Sequence, residues 1–317
     1  MEKFCKSVSG LDTQNILFFR ILPAGVVISM RVNYNFAMIV DIHTHVFPPW
    51  IIENRAKYID KDLLFAELYS NQKAKLATAD DVINAMDENG VDRSVILNLG
   101  WQEHEMCVET NDYILDSIAR YPDRLVGFAA VQPLAGDHAL REIERCLKNG
   151  IKGLGELRPV LQDPAFIEDT SVQDVMKVLI DSGLVLLIHA SEPLGHTYPG
   201  KGVITPDGIY RFILEYPDLK LICAHWGGGL PFYALMPEVE KALKNVYFDT
   251  AATPYLYRAQ IFRQVVDITG SEKILFGSDY PLLAPSRIIE QIESVGLTNK
   301  DKADILGENA CKLLTLD

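Results

Sequence analysis

The chain has few cysteines, and their spacing excludes two classes of protein. The five cysteines are odd in number and widely separated, and none forms a Cys-x-x-Cys pair. Disulfide-stabilised secreted domains and cysteine zinc sites both need paired or closely spaced thiols. We therefore expect reduced thiols, most of them in or near the core, and a cytoplasmic protein.

Basic charge is also scarce. The chain has 30 basic side chains against 43 acidic ones, which gives a net charge of −13, and the basic residues do not cluster. A surface for nucleic acid or anionic lipid would need the opposite balance. We expect a small-molecule substrate as the partner and neither nucleic acid nor a membrane, with a homodimer left open.

The N-terminal segment lacks a clear membrane or secretion signal. Its apolar stretch, 16–30, is interrupted by Arg20 and Pro23 and is too short to span a bilayer, and no convincing signal-peptide cleavage site follows. We predict an N-terminal extension of unknown role over residues 1–37 and one domain over residues 38–317. Met38 directly precedes the first clear strand pattern and is an alternative start.

Strand and helix patterns alternate along the rest of the chain. Apolar runs typical of buried strands occupy 39–42, 93–99, 125–131, 151–157, 184–188, 219–224, 246–249 and 274–277. Segment 50–77 is predicted to form short helices over the mouth of the domain. Eight such strands predict an α/β fold, the (β/α)₈ TIM barrel. A doubly wound sheet is the alternative, but the glycine motifs of its nucleotide-binding members are missing.

Side chains that can bind a metal stand at the ends of five predicted strands. They are His43, His45, Glu156, His189, His225 and Asp279. His43 and His45 point to one face because side chains alternate along a strand. Active sites of barrels lie at the C-terminal strand ends, so we predict that all six face one mouth. Their nitrogen and oxygen donors suit a divalent ion, zinc first, with manganese or iron as alternatives, and one or two ions per chain.

Structural roles are the alternative for each of these residues. Glu156 could form an ion pair with the neighbouring Arg158, and His189 could be a hydrogen-bonded core residue. Asp279 could cap the following helix, although Pro281 keeps that helix from starting at once. The metal site is the better explanation because four of the chain's seven histidines stand at strand ends.

The order of these motifs resembles the amidohydrolase superfamily. Its amidohydrolase 2 branch contains aminocarboxymuconate-semialdehyde decarboxylase-like enzymes as well as hydrolases. The similar motifs are Asp-Ile-His-Thr-His-Val-Phe-Pro-Pro, His-Trp-Gly-Gly-Gly, Gly-Ser-Asp-Tyr-Pro and Gly-Glu-Asn-Ala-Cys-Lys-Leu-Leu, and they extend over Met38 to Leu314. The resemblance implies that the metal ligands are His43, His45, His189 and Asp279, with His225 a ligand or an acid/base. Many members carry a carboxylated lysine at the end of the fourth strand. This chain has Glu156 there, similar to the arrangement in TatD-like proteins, so the resemblance implies no lysine carbamate.

We predict a hydrolase in which metal-activated water attacks a small amide, ester or lactone that carries a carboxylate. Asp279 would move the proton, with His225 as the second catalytic group, and Glu156 would bridge two ions. If Glu156 does not bridge, one ion remains, and a non-oxidative decarboxylase with His225 as acid/base is the alternative. A metal-binding barrel without turnover is a third hypothesis.

Three further residues are predicted to contact the substrate. The loop after the fifth strand, 191–202, carries His196 and Lys201 among prolines and glycines and is expected to lean over the site. Arg158 follows the fourth strand. Arg158 and Lys201 are candidates for binding a substrate carboxylate.

Overall fold

The computed structural model describes residues 38–159 and 164–316, together with the backbone of three strands that precede residue 38. These strands, Cys5–Lys6, Gln14–Ile21 and Val27–Tyr34, form an antiparallel sheet apart from the main one. The rest of the predicted extension 1–37 lies outside the described residues. No helix in the described part of the chain has the length and apolar character needed to cross a membrane.

Eight parallel strands form the main sheet, in which each strand pairs with its neighbours in chain order. They are β1 (Val40–His45), β2 (Arg93–Leu97), β3 (Leu125–Ala129), β4 (Gly153–Leu157), β5 (Val185–Ile188), β6 (Lys220–Cys223), β7 (Val246–Asp249) and β8 (Ile274–Leu275). The predicted (β/α)₈ barrel is confirmed.

Backbone hydrogen bonds between β1 and the segment after β8 close the barrel. The Asp279 N–H donates to the His43 carbonyl (2.9 Å) and the His45 N–H donates to the Tyr280 carbonyl (2.7 Å). These bonds fix the ends of the first and last strands side by side. Three of the predicted metal-binding side chains are thereby brought together by main-chain geometry.

Helices follow the strands and cover the outside of the barrel. The larger ones are Ala79–Asn89, His104–Arg120, Asp137–Lys148, Thr170–Ser182, Pro206–Glu215, Pro237–Ala242, Gln260–Thr269 and Pro285–Ser294. The first begins with a capping box, in which the Thr78 side chain accepts from the Asp81 N–H. It ends at Gly90, whose φ of 70° is readily adopted by glycine.

Two apolar layers hold the strands. Val95 and Leu97 belong to the cluster inside the barrel, whereas Ile96 between them belongs to the layer under the helices. This alternation follows from the two-residue period of a strand. Leu313 and Leu314 of the last helix join the inner cluster.

The sequence pattern over 301–314 predicts a single C-terminal helix, but in the structure this segment is divided. It consists of Asn299–Ala303, a π-helical turn Asp304–Glu308 and the helix Asn309–Leu314. Within the turn, the Ile305 carbonyl accepts a hydrogen bond from the Phe276 N–H (2.9 Å). This bond diverts the Phe276 N–H from strand pairing, although the Phe276 carbonyl still accepts from the Ile42 N–H of β1 (2.9 Å). The regular part of β8 is therefore shorter than its sequence pattern.

The insertion after β1 forms three short helices, Pro49–Glu53, Arg55–Ile59 and Leu63–Tyr69. We call residues 50–77 the mouth insertion. Its aromatic rings pack on rings of the barrel: Phe65 stacks on Trp101 with centroids 5.5 Å apart, and Tyr69 meets the edge of Phe47 at 5.2 Å. Such contacts contribute beyond the area that they bury, and they hold the third helix beside the strand ends.

Candidate metal centre

The six side chains predicted to bind a metal converge at the C-terminal end of the barrel, and all six are buried. In the half of the site nearest β1 and β8, the His43 Nε2 lies 3.1 Å from the His45 Nε2. The Asp279 Oδ1 lies 3.3 Å from the His45 Nε2 and 3.7 Å from the His43 Nε2. Their donor atoms thus surround one small space.

Glu156, at the end of β4, stands between this half and a second one. Its Oε2 is 3.7 Å from the His45 Nε2, while its Oε1 is 2.9 Å from the His189 Nδ1 and 3.4 Å from the His225 Nε2. The ligand atoms of His43, His45 and Glu156 lie within 4.8 Å of one another, as do those of Glu156, His189 and His225. Glu156 is therefore shared by two groups, each of which could hold an ion.

The donor set fits a divalent cation. Buried carboxylates need compensating charge, yet the ion-pair partners found for Glu156 and Asp279 in the described residues are all histidines. Arg158, the alternative partner for Glu156, lies instead 3.6 Å from the Glu67 carboxylate. Imidazole and carboxylate groups facing one another at these distances are typical ligands of zinc and manganese.

Strained backbone marks two of the six residues. His225 and Asp279 have φ values of 54° and 65°, in the left-handed region that only a few per cent of non-glycine residues adopt. Gly228 follows His225 by three residues and lets the Ser191 carbonyl approach closely, because a Cβ at this position would lie 2.3 Å from the carbonyl oxygen. Unfavourable backbone conformations of this kind cluster at functional sites, where the surrounding packing holds them.

Asp249, at the end of β7, orients the histidines. Its Oδ2 lies 2.8 Å from the His43 Nδ1, and its Oδ1 accepts from the backbone N–H groups of His225 (2.8 Å) and Ala251 (3.0 Å). The His43 Nε2 is thereby directed into the centre. The sequence leaves Asp249 as either a support for the metal-binding residues or a structural residue, and the structure places it against His43.

A cavity of about 640 Å³ opens above the six residues. Three tyrosines, Tyr69, Tyr198 and Tyr255, and apolar side chains such as Leu64, Leu68 and Leu99 line it together with five of the six. Tyr69 belongs to the mouth insertion. The sequence predicts that this insertion lies over the mouth, but not which of its side chains lines the cavity. Tyr198 comes from the loop after β5 and donates to the Glu192 carboxylate (2.9 Å).

The predicted substrate-binding residues divide into two groups. Arg158 and His196 line the cavity. Lys201 does not stand among the described residues of the lining, because its ammonium donates to carbonyls of its own loop, those of Leu194 (2.7 Å) and His196 (3.0 Å). Lys201 thus stabilises its own loop. Its contact with a substrate carboxylate stays a prediction.

A family model described as amidohydrolase matches residues 40–316, nearly the whole described barrel. The chain belongs to the amidohydrolase family. The predicted resemblance is confirmed, and the amidohydrolase match runs from β1 to the last helix.

Two similar proteins are decarboxylases. The gamma-resorcylate decarboxylase of Polaromonas sp. strain JS666 is 23% identical over 287 residues, in an alignment that covers 74% of this amidohydrolase and 86% of that protein. The 2-amino-3-carboxymuconate-6-semialdehyde decarboxylase of Dictyostelium discoideum is 22% identical over 333 aligned positions, which cover 88% of this chain and 92% of that protein.

A solved structure shares the fold. The 5-carboxyvanillate decarboxylase of Novosphingobium aromaticivorans, complexed with manganese and 4-hydroxy-3-methoxy-5-nitrobenzoic acid, superposes with a TM-score of 0.74. It is 19% identical, and the match covers 88% of this amidohydrolase and 96% of that chain.

Carboxylates govern the protonation of two histidines in the amidohydrolase centre. Burial alone would lower the pKa of His43, but the charge of Asp249, the hydrogen bond to Asp249 and the charges of Glu156 and Asp279 together outweigh burial and raise this pKa to about 10. Burial likewise opposes protonation of His225, yet the hydrogen bond to Glu156 and the charge of Asp279 raise its pKa to about 9. Without a metal, both imidazoles are therefore protonated at neutral pH.

Two other groups of the centre, His189 and Asp279, have lowered pKa values. Burial lowers the pKa of His189 below its ordinary value. Burial would raise the pKa of Asp279, but the hydrogen bond from His45 and the charge of His43 bring it down to about 2. Asp279 is thus ionised across the physiological range, and it offers a charged oxygen to a cation.

Metal binding is expected to release a proton from His43. Its raised pKa means that it stays protonated until the pH approaches about 10, whereas a metal ligand must be neutral. Apparent metal affinity is therefore expected to rise about tenfold per pH unit between pH 6 and 8. Calorimetric titrations in two buffers of different ionisation enthalpy measure the release, expected at about one proton per ion; no release would contradict protonated His43.

Asp249→Asn is expected to weaken metal binding by about 10- to 100-fold, as loss of a group that orients a metal-binding histidine does. The amide keeps an oxygen for the backbone N–H groups of His225 and Ala251, but it cannot hold His43 with a charged acceptor at 2.8 Å. Competition with a chromogenic chelator, measured over a range of pH and extrapolated to neutral His43, gives the affinity free of proton competition, which Asp249 itself increases. An unchanged dissociation constant would show that His43 keeps its orientation without Asp249.

Proposed function

We propose that this amidohydrolase is a metal-dependent, non-oxidative decarboxylase of an aromatic or similarly conjugated carboxylic acid. The observation that best supports this proposal is the placement of His225. Its Nδ1 lies 3.2 Å from the Ala251 carbonyl, so this nitrogen is committed as a donor and the Nε2 faces the centre. A protonated imidazole beside a substrate cavity is what the replacement of CO₂ by hydrogen requires.

The residues divide the reaction as follows. The bond between the ring carbon and the carboxyl carbon breaks, CO₂ leaves, and the electron pair stays on the ring carbon. His225 delivers its Nε2 proton to that carbon, and solvent reprotonates it after product release. The apolar and tyrosine-lined cavity accommodates a flat ring and excludes water from the carbon that is protonated.

His43, His45, His189 and Asp279 would hold the ion. A divalent cation bound there supplies positive charge that anchors an anionic substrate and stabilises the negative charge that develops on it. The mixed nitrogen and oxygen donors accept zinc or manganese. The manganese in the related 5-carboxyvanillate decarboxylase supports including that metal beside the zinc first expected.

The names of the relatives support decarboxylation over the hydrolysis preferred from the sequence. Hydrolysis stays the second candidate because Glu156 is shared by the two histidine groups. A carboxylate in that position can bridge two ions, an arrangement found in enzymes that activate water between metals. The number of ions therefore separates the two functions.

Two measurements test the proposal. Protein reconstituted with excess manganese or zinc is expected to bind about one ion per chain, and to release CO₂ from hydroxybenzoic acids or related conjugated acids in a metal-dependent way. Two ions in the wild type and one in Glu156→Gln, with turnover of esters or lactones and no CO₂, would instead establish the hydrolase. If neither the conjugated acids nor the esters and lactones are turned over in a metal-dependent way, the hypothesis that remains is a metal-binding barrel without turnover.

A further inference from the structure

Arg158 lies in a recess at the cavity wall that is built from three segments of the chain. Its Nη2 donates to the Gly200 carbonyl (3.0 Å), and its Nη1 lies 3.6 Å from the Glu67 Oε2. The guanidinium packs directly against Gly202, where a Cβ would lie 2.6 Å from the Nη2. The Arg158 side chain is only 16% exposed, although it lines the cavity.

The two carboxylate oxygens of Glu67 act differently. The Oε1 accepts a hydrogen bond from the Gly200 N–H (2.9 Å), which ties the mouth insertion to the loop after β5. The Oε2 faces Arg158 at 3.6 Å, too far for a hydrogen bond. The Glu67 side chain is 44% exposed, so solvent weakens this ion pair. Within the described residues, the partners found for the Arg158 guanidinium are this carboxylate and the Gly200 carbonyl, so the five-donor group can bind another anion in exchange for Glu67.

The position of Arg158 suits the far end of a small acid. It follows Glu156 by two residues, a distance of about 6 to 7 Å along extended chain. Among the described residues that line the cavity, the acidic ones are Glu156 and Asp279, both at the metal centre. A second anionic group on the substrate would therefore meet positive charge at Arg158 and little repulsion elsewhere.

We propose that Arg158 binds a second anionic group of the substrate and that Glu67 is the internal anion which this group displaces. The inference rests on the proposed function for the first carboxylate, which the metal centre binds. Glu67 then determines specificity by competition, because a substrate with a single anionic group gains nothing from displacing it. The tie between the mouth insertion and Gly200 is kept by the other oxygen of Glu67.

Glu67→Gln separates the two roles of this residue. A glutamine can still accept from the Gly200 N–H, but it removes the negative charge opposite Arg158. Isophthalate and terephthalate serve as probes with two carboxylates, and benzoate as the probe with one. Binding of all three to metal-loaded protein is measured by calorimetry.

Glu67→Gln is expected to bind the better of the two dicarboxylates about two- to fivefold more tightly, as removal of one weak competing ion pair would give. Arg158→Gln is expected to bind it at least about tenfold more weakly, because a hydrogen bond to a charged group is lost. Benzoate binding is expected to change less than about twofold in both variants. Lys57→Gln, which removes an exposed positive charge from the mouth insertion, is the matched control and is expected to leave all three affinities unchanged.

Weaker or unchanged dicarboxylate binding in Glu67→Gln would overturn the competition, and equal losses for benzoate and the dicarboxylates in Arg158→Gln would overturn the anion site. These readouts are binding constants, so they do not depend on turnover. Decarboxylation without any selectivity for two carboxylates would refute this inference alone. Selective binding without decarboxylation would refute the proposed function alone.

Discussion

His43→Ala together with His45→Ala is expected to reduce bound metal to less than about a tenth of the wild-type content, because two of the proposed ligands are lost at once. The barrel is expected to fold. Asp249 loses one partner in this variant, but it still accepts from the backbone N–H groups of His225 and Ala251. Elemental analysis after reconstitution and the far-ultraviolet circular dichroism spectrum measure the two outcomes.

The chain offers a matched control for this double substitution. His104 and His138 form another histidine pair, with ring centroids 5.5 Å apart, between the starts of two helices and outside the centre. His104→Ala with His138→Ala is expected to keep the full metal content. Unchanged metal content in a folded His43/His45 double variant would show that these two histidines are not metal ligands.

The barrel could be predicted from the sequence because its strands are buried on both faces. Apolar runs such as 184–188 stand out against the amphipathic helices around them. Strand ends were less accurate. The predicted strand 274–277 ends at Leu275, since the Phe276 N–H bonds to the Ile305 carbonyl of a π-helical turn that no local pattern announces.

The convergence of the six side chains could also be predicted, because parallel strands of a barrel all end at one mouth. Which side chains pair with one another around the site could not be predicted. That Arg158 pairs with Glu67 depends on a contact between the mouth insertion and the β4 end, some ninety positions apart. The same holds for Tyr69, which enters the cavity through aromatic packing on Phe47.

Hydrolysis and decarboxylation require the same ligands at the same strand ends, so the sequence pattern alone could not separate them. The difference lies in what His225 does. As a metal ligand it would need a neutral Nε2, whereas as a proton donor it must keep its proton. The structure adds the contact of the Nδ1 with the Ala251 carbonyl and the carboxylates that raise the pKa of His225 to about 9.

His225→Asn is expected to retain about one metal ion per chain while kcat for decarboxylation falls at least about a hundredfold, the range of general acid/base contributions. Asparagine tolerates the left-handed backbone at this position, where φ is 54°. Its backbone N–H keeps the bond to the Asp249 Oδ1. The substitution therefore removes the transferable proton with little change to the surrounding chain.

His138→Asn, at an exposed histidine outside the centre, is the control and is expected to keep full activity and metal. The decisive comparison is between kcat and metal content in the same protein sample. Loss of metal together with activity in His225→Asn would make His225 a ligand, as in the two-ion hydrolase. Near-normal kcat with full metal would exclude His225 as the proton donor. Asp279 would then be the remaining acid/base candidate at the centre, although its pKa of about 2 suits a base better than an acid.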